Sequence, residues 1–162
     1  MKSLILLRHA EAMPATPAVA DLERKLSPDG QQQARRLGMW MAARGWAPQA
    51  LLCSAALRAR QTAEAVAVAA GWTTPLAVLD RLYNANAVDM IAVLREQAAD
   101  IDQLLLVAHA PGVGELASAL TTRRSDLSLA CEPATLIEVV VTLDDWSELD
   151  SNCARLHLLL PA

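Results

Sequence analysis

The chain has 162 residues, which predicts one domain over 1–162 with a core that needs no disulfide or metal ion to hold it. Its net charge of −4 disfavours nucleic acid and anionic membrane surfaces as partners, so an anionic substrate would need a local cationic pocket. Although 54% of the residues are hydrophobic, no apolar run approaches the ~20 residues of a membrane-spanning helix, and residues 1–3 lack the pattern of a secretory signal. We therefore expect a cytoplasmic protein.

The first predicted element is a buried strand over residues 2–7, where an apolar run leads directly into Arg8 and His9. A buried strand more often stops at glycine, proline or asparagine. The prolines and the charged patch of residues 10–27 then predict a long loop.

From Ser27 onward, helical and strand-like patterns alternate. Ser27 followed by Pro28 is typical of an N-cap and the first position of a helix. The predicted elements are a helix from there to Arg44, a strand over 49–54, a helix over 57–70, a strand over 75–79, a helix over 88–98, a strand over 103–108, a helix opened by Pro111, and strands over 135–143 and 154–160. Gly45 and Gly71 are expected to end the first two helices.

The apolar spacing also predicts which face of each helix points inward. The expected inward residues are Ala34, Leu37 and Met41, then Ala63, Val66 and Ala70, then Ile91 and Leu94, and finally Val113, Leu116 and Leu120.

This alternation predicts an α/β fold, with a mainly parallel sheet, helices on both faces and an antiparallel edge near the C-terminus. In such sheets ligands bind beyond the carboxyl ends of the strands. The strand over 103–108 also stops at a histidine, His109. If the two strands are neighbours, Arg8, His9 and His109 share one crevice.

A further cation follows the second strand. Ser54 is expected to cap the helix over 57–70, which places Arg58 and Arg60 in or just after its first turn. Cations there oppose the helix dipole at a cost of roughly 0.3–1 kcal/mol, a cost that a bound anion can offset. We expect Arg58 to face such an anion and Arg60 to be solvated.

Together, two histidines and two arginines suit a tetrahedral dianion better than a metal ion, since arginine repels cations. A neutral imidazole can attack phosphorus, and the arginines can hold the phosphoryl oxygens. The constellation therefore predicts phosphoryl transfer through a phosphohistidine, with no metal and no cofactor. The three cysteines, Cys53, Cys131 and Cys153, have no CxxC spacing and are expected to be reduced structural thiols.

At these residues the chain resembles the histidine phosphatase superfamily, in particular its small branch similar to the SixA phosphohistidine phosphatases. The specific motifs are the strand end in "LILLRHAEA", with alanine where the family mark has glycine, and "SAALRARQT". "DLERKLSPDG", "LDRLYNA" and "LLLVAHAPGVGELA" support it. The resemblance covers nearly the whole chain and implies a phosphoglycerate-mutase-like fold.

The resemblance also implies roles for individual residues. His9 would be the phosphorylated nucleophile, Arg8 and Arg58 the phosphate clamps, and His109 the second histidine. Arg24 either reaches the phosphate from the loop or faces solvent.

One departure from the family bears on the substrate. Larger members supply a glutamate general acid where this chain has Asn84, although Asp80 could serve if its loop folds over the site. An imidazole leaving group needs less protonation than an alkoxide. The chain is thus expected to act on a phosphohistidine-bearing protein. The alternatives are a phosphatase for small phosphate monoesters on the same site and a non-catalytic phosphate-binding module.

Overall fold

The computed structural model describes residues 1–122 and 129–161. The ten main elements are β1 (Lys2–Arg8), α1 (Pro28–Ala43), β2 (Ala50–Ser54), α2 (Leu57–Ala70), β3 (Leu76–Leu79), α3 (Ala87–Arg95), β4 (Gln103–Ala108), α4 (Gly112–Thr121), β5 (Leu136–Val141) and β6 (Ala154–Leu160). Short 3₁₀ turns lie at Asp21–Glu23, Asp80–Leu82 and Trp146–Glu148. The predicted order of strands and helices is confirmed.

All six strands form one sheet in the order β3-β2-β4-β1-β5-β6. The pairs β2–β3, β2–β4 and β1–β4 are parallel, and β5 and β6 add an antiparallel edge. The predicted fold class is therefore confirmed, and the neighbouring strands β1 and β4 are those that end at the two histidines.

Helices cover both faces of the sheet because the central strands are apolar on both sides. Alternate residues of β1 point to opposite faces, so Ile5 and Leu7 pack in the core with α1 and α2, and Leu4 and Leu6 pack in the core with α3 and α4. In the part of the chain that the structure describes, no helix combines the length and the apolar character needed to cross a membrane.

Two expectations about helices need correction. The third helix ends at Arg95 instead of residue 98, because i→i+3 bonds tighten its last turn: the N–H of Gln97 donates to Leu94 O at 3.1 Å. Ile91 is half-buried, as is Ala70 in α2. The fully buried residues of α3 are Met90, Val93 and Leu94.

The start and end of α1 match the prediction. Ser27 caps the helix and accepts a hydrogen bond from Gly30 N at 2.9 Å, with Pro28 following it. Gly45 comes just after the helix with φ 71°, a conformation that favours glycine. The predicted loop before α1 contains one isolated antiparallel bridge, between Ala12 and Leu26.

Candidate active site

The carboxyl ends of β1 and β4 bring the two histidines together. Arg8 pairs with Ala108 in the parallel register, so His9 and His109 follow at the same edge of the sheet. Their ring centroids are 5.2 Å apart at an angle of 62°. Both side chains are buried, at the edge of the sheet where the sequence predicts a shared crevice.

His9 is held in the tautomer that has its nucleophilic lone pair on Nε2. Its Nδ1–H donates to the carbonyl of Ala10 at 2.8 Å, which leaves the lone pair on Nε2. Nε2 accepts a hydrogen bond from Arg58 Nε at 3.2 Å. Burial, together with the charges of Arg58 and Arg8, lowers the pKa of His9 to about 4, although the hydrogen bond to Ala10 acts to raise it. His9 is therefore a neutral imidazole at pH 7.

Arg58 lies between the histidines, near the start of α2. Its side chain is 4% exposed, and its Nη2 lies 3.5 Å from His109 Nδ1. Arg60 is exposed, as the sequence predicts. Buried beside two imidazoles, Arg58 supplies a fixed positive charge to the centre of the site.

The predicted cap of α2 is wrong. The N-cap is Ala56, which makes no side-chain capping bond. Ser54 accepts a hydrogen bond from Ala56 N at 3.2 Å just before the helix, and its Oγ lies 2.7 Å from His109 Nε2. Ser54 Oγ bonds to His109 because the buried Nε2 of this histidine needs a hydrogen-bond partner. No local sequence signal indicates this contact.

His109 is also neutral. Because its Nδ1 faces the Arg58 guanidinium, which can only donate, its proton lies on Nε2 and is donated to Ser54 Oγ. Burial, together with His9 and Arg58, lowers the pKa of His109 to about 3. To donate to an oxyanion through Nδ1, His109 has to take up a proton when the anion arrives.

Arg8 carries an unsatisfied donor at the edge of the site. Its Nη1 donates to the carbonyl of Cys131, and its Nε is buried with no hydrogen-bond partner among the residues that the structure describes. The Arg8 charge lowers the pKa values of both His9 and His109, so it acts on the site directly. A buried donor without a partner is costly, and an anion in the crevice could satisfy it.

The loop between β1 and α1 contributes a carboxylate that the sequence analysis missed. Asp21 Oδ2 accepts from Arg58 Nη2 at 2.9 Å and from the Tyr83 hydroxyl at 2.7 Å. Its main-chain carbonyl accepts from Arg58 Nη1 at 2.6 Å. These bonds, above all that from Tyr83, lower the pKa of Asp21 to about 2. Its three-residue spacing from Arg24 was the only sequence signal, and many solvated ion pairs share it.

Arg24 lies at the rim of the site and not at its centre. Its Nε donates to Asp21 Oδ1 at 3.0 Å and its Nη1 to Met13 O at 3.2 Å. It contacts neither histidine directly, but its charge lowers the pKa of His9. Tyr83 completes this rim, with its ring 5.7 Å from that of His109.

Asp80 and Asn84, the two positions considered for a general acid, have different surroundings. Asp80 is exposed at the start of its 3₁₀ turn, where its carbonyl accepts from Tyr83 N. Asn84 has φ 52° and lines a cavity of about 200 Å³ that also contacts His109 and Glu115. Asp21 is thus the carboxylate bonded to the central arginine, and it is ionised at neutral pH.

The donor set does not suit a metal ion. Over residues 1–122 and 129–161, no group of three or more histidine, cysteine, aspartate or glutamate side chains has the geometry to hold one. The cysteines in this part of the chain are free thiols, and burial raises the pKa of Cys53 to about 12. The arrangement of Arg8, His9, Arg58 and His109 instead suits a tetrahedral oxyanion beside a neutral nucleophile.

Comparison with known proteins gives consistent matches. The model of the family described as Histidine phosphatase superfamily (branch 1) matches residues 4–125. An uncharacterized protein from Mycobacterium tuberculosis is 31% identical over 157 residues, which cover 93% of this chain and 96% of that protein. A protein assigned as phosphohistidine phosphatase SixA from Nakamurella multipartitia has a structure with a TM-score of 0.85 at 27% identity, covering 98% of this chain and 95% of that one. A second protein so assigned, from Agrobacterium tumefaciens, has a TM-score of 0.82 at 25% identity, covering 99% of both chains.

Proposed function

The chain belongs to the histidine phosphatase superfamily, and from this premise we propose that it removes phosphate from phosphohistidine in a protein. The family and the similar structures support phosphatase activity in general. The observation that carries the finer proposal is the protonation state of two titratable groups that contact Arg58. His9 is a neutral nucleophile beside Arg58, and Asp21, the carboxylate bonded to Arg58, is too acidic to protonate a leaving group.

The reaction has two displacements at phosphorus. In the first, His9 Nε2 forms a bond to phosphorus as the phosphorus–nitrogen bond of the substrate breaks. The substrate ring carries a proton on its other nitrogen, so the electron pair of the broken bond leaves on a neutral imidazole. In the second, water attacks the phosphorylated His9, its proton is released, and inorganic phosphate and free His9 result. His9 Nδ1 stays hydrogen-bonded to Ala10 throughout, which keeps Nε2 directed into the crevice.

The cations act by holding the transferred group. Arg58 and the unpartnered Nε of Arg8 donate to phosphoryl oxygens and offset the charge that develops on them. His109 gains a proton in the field of the dianion and donates through Nδ1. Ser54 accepts from its other nitrogen and so fixes the ring.

The leaving group decides between substrate classes. An alkoxide needs a proton from a general acid, whereas a phosphoramidate releases an imidazole with less assistance. Asp21 is held as a carboxylate, and Asn84 has no acidic proton. The site therefore favours phosphohistidine over a phosphate monoester.

One observation favours the second candidate, a phosphatase for small phosphate monoesters. Glu115 lines the cavity of about 200 Å³ next to His109, where it is half-buried. A side chain there lies where an alkoxide leaving toward the cavity would contact it. Glu115→Gln should then reduce the hydrolysis of esters and leave that of phosphohistidine intact.

The test compares a phosphohistidine-bearing protein with an alkyl phosphate ester, whose alkoxide leaving group needs a proton. Wild type should hydrolyse the first faster and form an acid-labile phosphoenzyme, and His9→Ala should do neither while keeping most oxyanion binding. His157→Ala is the matched control, because this third histidine lies on β6 and contacts Glu138 instead of the site. Faster ester hydrolysis would favour the second candidate. Phosphate binding by wild type without any phosphoenzyme would indicate a binding module.

A further inference from the structure

We propose that Asp21 competes with the phosphoryl group for Arg58 and thereby sets how tightly the site holds phosphate. This inference rests on the proposed function, since it takes Arg58 as the phosphate-binding arginine. It assigns to Asp21 a part in the release of phosphate after each turnover. Asp21 acts through Arg58 and is a positioning residue.

The contacts of Arg58 carry the inference. A guanidinium binds oxyanions through a fork of two parallel donors. Both terminal nitrogens of Arg58 donate to acceptors of the same residue, Nη1 to the carbonyl of Asp21 at 2.6 Å and Nη2 to its carboxylate at 2.9 Å. Nε donates to His9. A phosphate that uses the fork of Arg58 has to replace or share these acceptors.

The position of Asp21 allows its carboxylate to leave Arg58 with little loss of packing. Its side chain is 47% exposed, whereas that of Arg58 is 4% exposed. Asp21 begins a 3₁₀ turn of three residues that contains no buried residue. The carboxylate can turn outward from Arg58 without disturbing the core, while Arg24 and Tyr83 remain as partners at the rim.

The charges around the site also support competition between Asp21 and phosphate. Arg8, Arg24 and Arg58 are cations around a site whose histidines are neutral, and Asp21 is the anion bonded to two of these arginines. A carboxylate close to the phosphate position repels a dianion and reduces the positive field of Arg58. Asparagine at position 21 would keep the size and an acceptor oxygen but remove the repulsion.

The experiment measures the affinity for inorganic phosphate by calorimetry in wild type, Asp21→Asn and Glu23→Gln. Glu23 is the matched control, since it is an exposed carboxylate of the same 3₁₀ turn. We expect Asp21→Asn to lower the Kd about tenfold and Glu23→Gln to change it less than about twofold, because half-exposed charges act mainly at short range. Inhibition of turnover by phosphate should strengthen by the same factor in Asp21→Asn.

The results separate this inference from the proposed function. An unchanged or weaker affinity in Asp21→Asn, equal tightening in Glu23→Gln, or the failure of both wild type and Asp21→Asn to bind phosphate would overturn the competition. A merely structural role for Asp21 predicts weaker binding, not tighter. If Asp21→Asn binds phosphate more tightly but wild type hydrolyses neither phosphohistidine nor ester, the competition stands and the proposed function fails.

Discussion

Replacing Arg58 by alanine is the perturbation that tests the largest part of the site. The guanidinium is 4% exposed and hydrogen-bonds to His9, to Asp21 and, at 3.5 Å, to His109. The substitution removes the fixed charge next to the nucleophile and the fork that would hold two phosphoryl oxygens. It should leave the sheet in place, because the strands are paired through their own backbones.

The expected loss follows from these contacts. A hydrogen bond to a charged group contributes about 1.5–3 kcal/mol, and burial protects this one from screening. Because Asp21 already occupies the two terminal nitrogens, part of the gain from phosphate is an exchange of acceptors. We therefore expect a net loss of about one such bond in Arg58→Ala, or roughly 10- to 150-fold in the Kd for phosphate or tungstate.

Calorimetric titration with tungstate measures this loss, and Arg60→Ala is the control. Arg60 carries the same charge two residues further along α2 but is exposed, so its removal should change the Kd less than about twofold. In addition, the pKa values of His9 and His109 should rise in Arg58→Ala, because the Arg58 charge lowers both. An Arg58→Ala titration that matches wild type or Arg60→Ala would refute the assignment of Arg58 to the oxyanion.

Three further predictions concern protonation and packing. The pKa values of His9 and His109 are about 4 and about 3 in the fold and near 6.5 when unfolded. The free energy of unfolding should therefore be full above pH ~6.5 and fall by roughly 2–5 kcal/mol between pH 7 and 4.5. Equal denaturation midpoints at these two pH values would contradict this. Tungstate, which unlike phosphate does not itself titrate near pH 7, should protonate His109 when it binds at that pH. Calorimetry in buffers of different ionisation enthalpy would show this as a buffer-dependent heat, and a constant heat would speak against it. Gly30→Ala should lower the free energy of unfolding in urea by about 1–3 kcal/mol, because the added Cβ would lie 1.9 Å from Glu11 O. The control Gln31→Ala, at an exposed position, should lower it by under about 0.5 kcal/mol. Comparable losses in the two variants would count against the close approach of Gly30 to Glu11.

The fold was accessible from the sequence because its signals are local and repeated. Apolar runs for the central strands, Ser27 with Pro28 at the start of α1, and Gly71 after α2 each specify a boundary through backbone chemistry. The convergence of His9 and His109 combines the rule that parallel strands end at the same edge of a sheet with the pairing of β1 and β4, which the sequence left as a condition.

The parts that sequence analysis missed depend on contacts between distant segments. Asp21 reaches Arg58 across a loop, and Ser54 bonds to His109 instead of capping the helix that follows it. The sequence pattern near each of these residues has an ordinary local explanation. The tertiary contacts, of the loop with α2 and of β2 with the end of β4, decide that Asp21 bonds to Arg58 and Ser54 to His109.

The position of β1 and β4 at the middle of the sheet has a consequence for how activity is acquired. Leu4 pairs with Leu104, so the two strands that lead to His9 and His109 are far apart in the sequence. They can pair only after the long loop of chain between them has been closed. Contacts of such long sequence separation form slowly, whereas helices form on far shorter timescales. During refolding, the ability to form a phosphoenzyme should therefore return with the slowest phase of sheet assembly, well after helical structure has been regained.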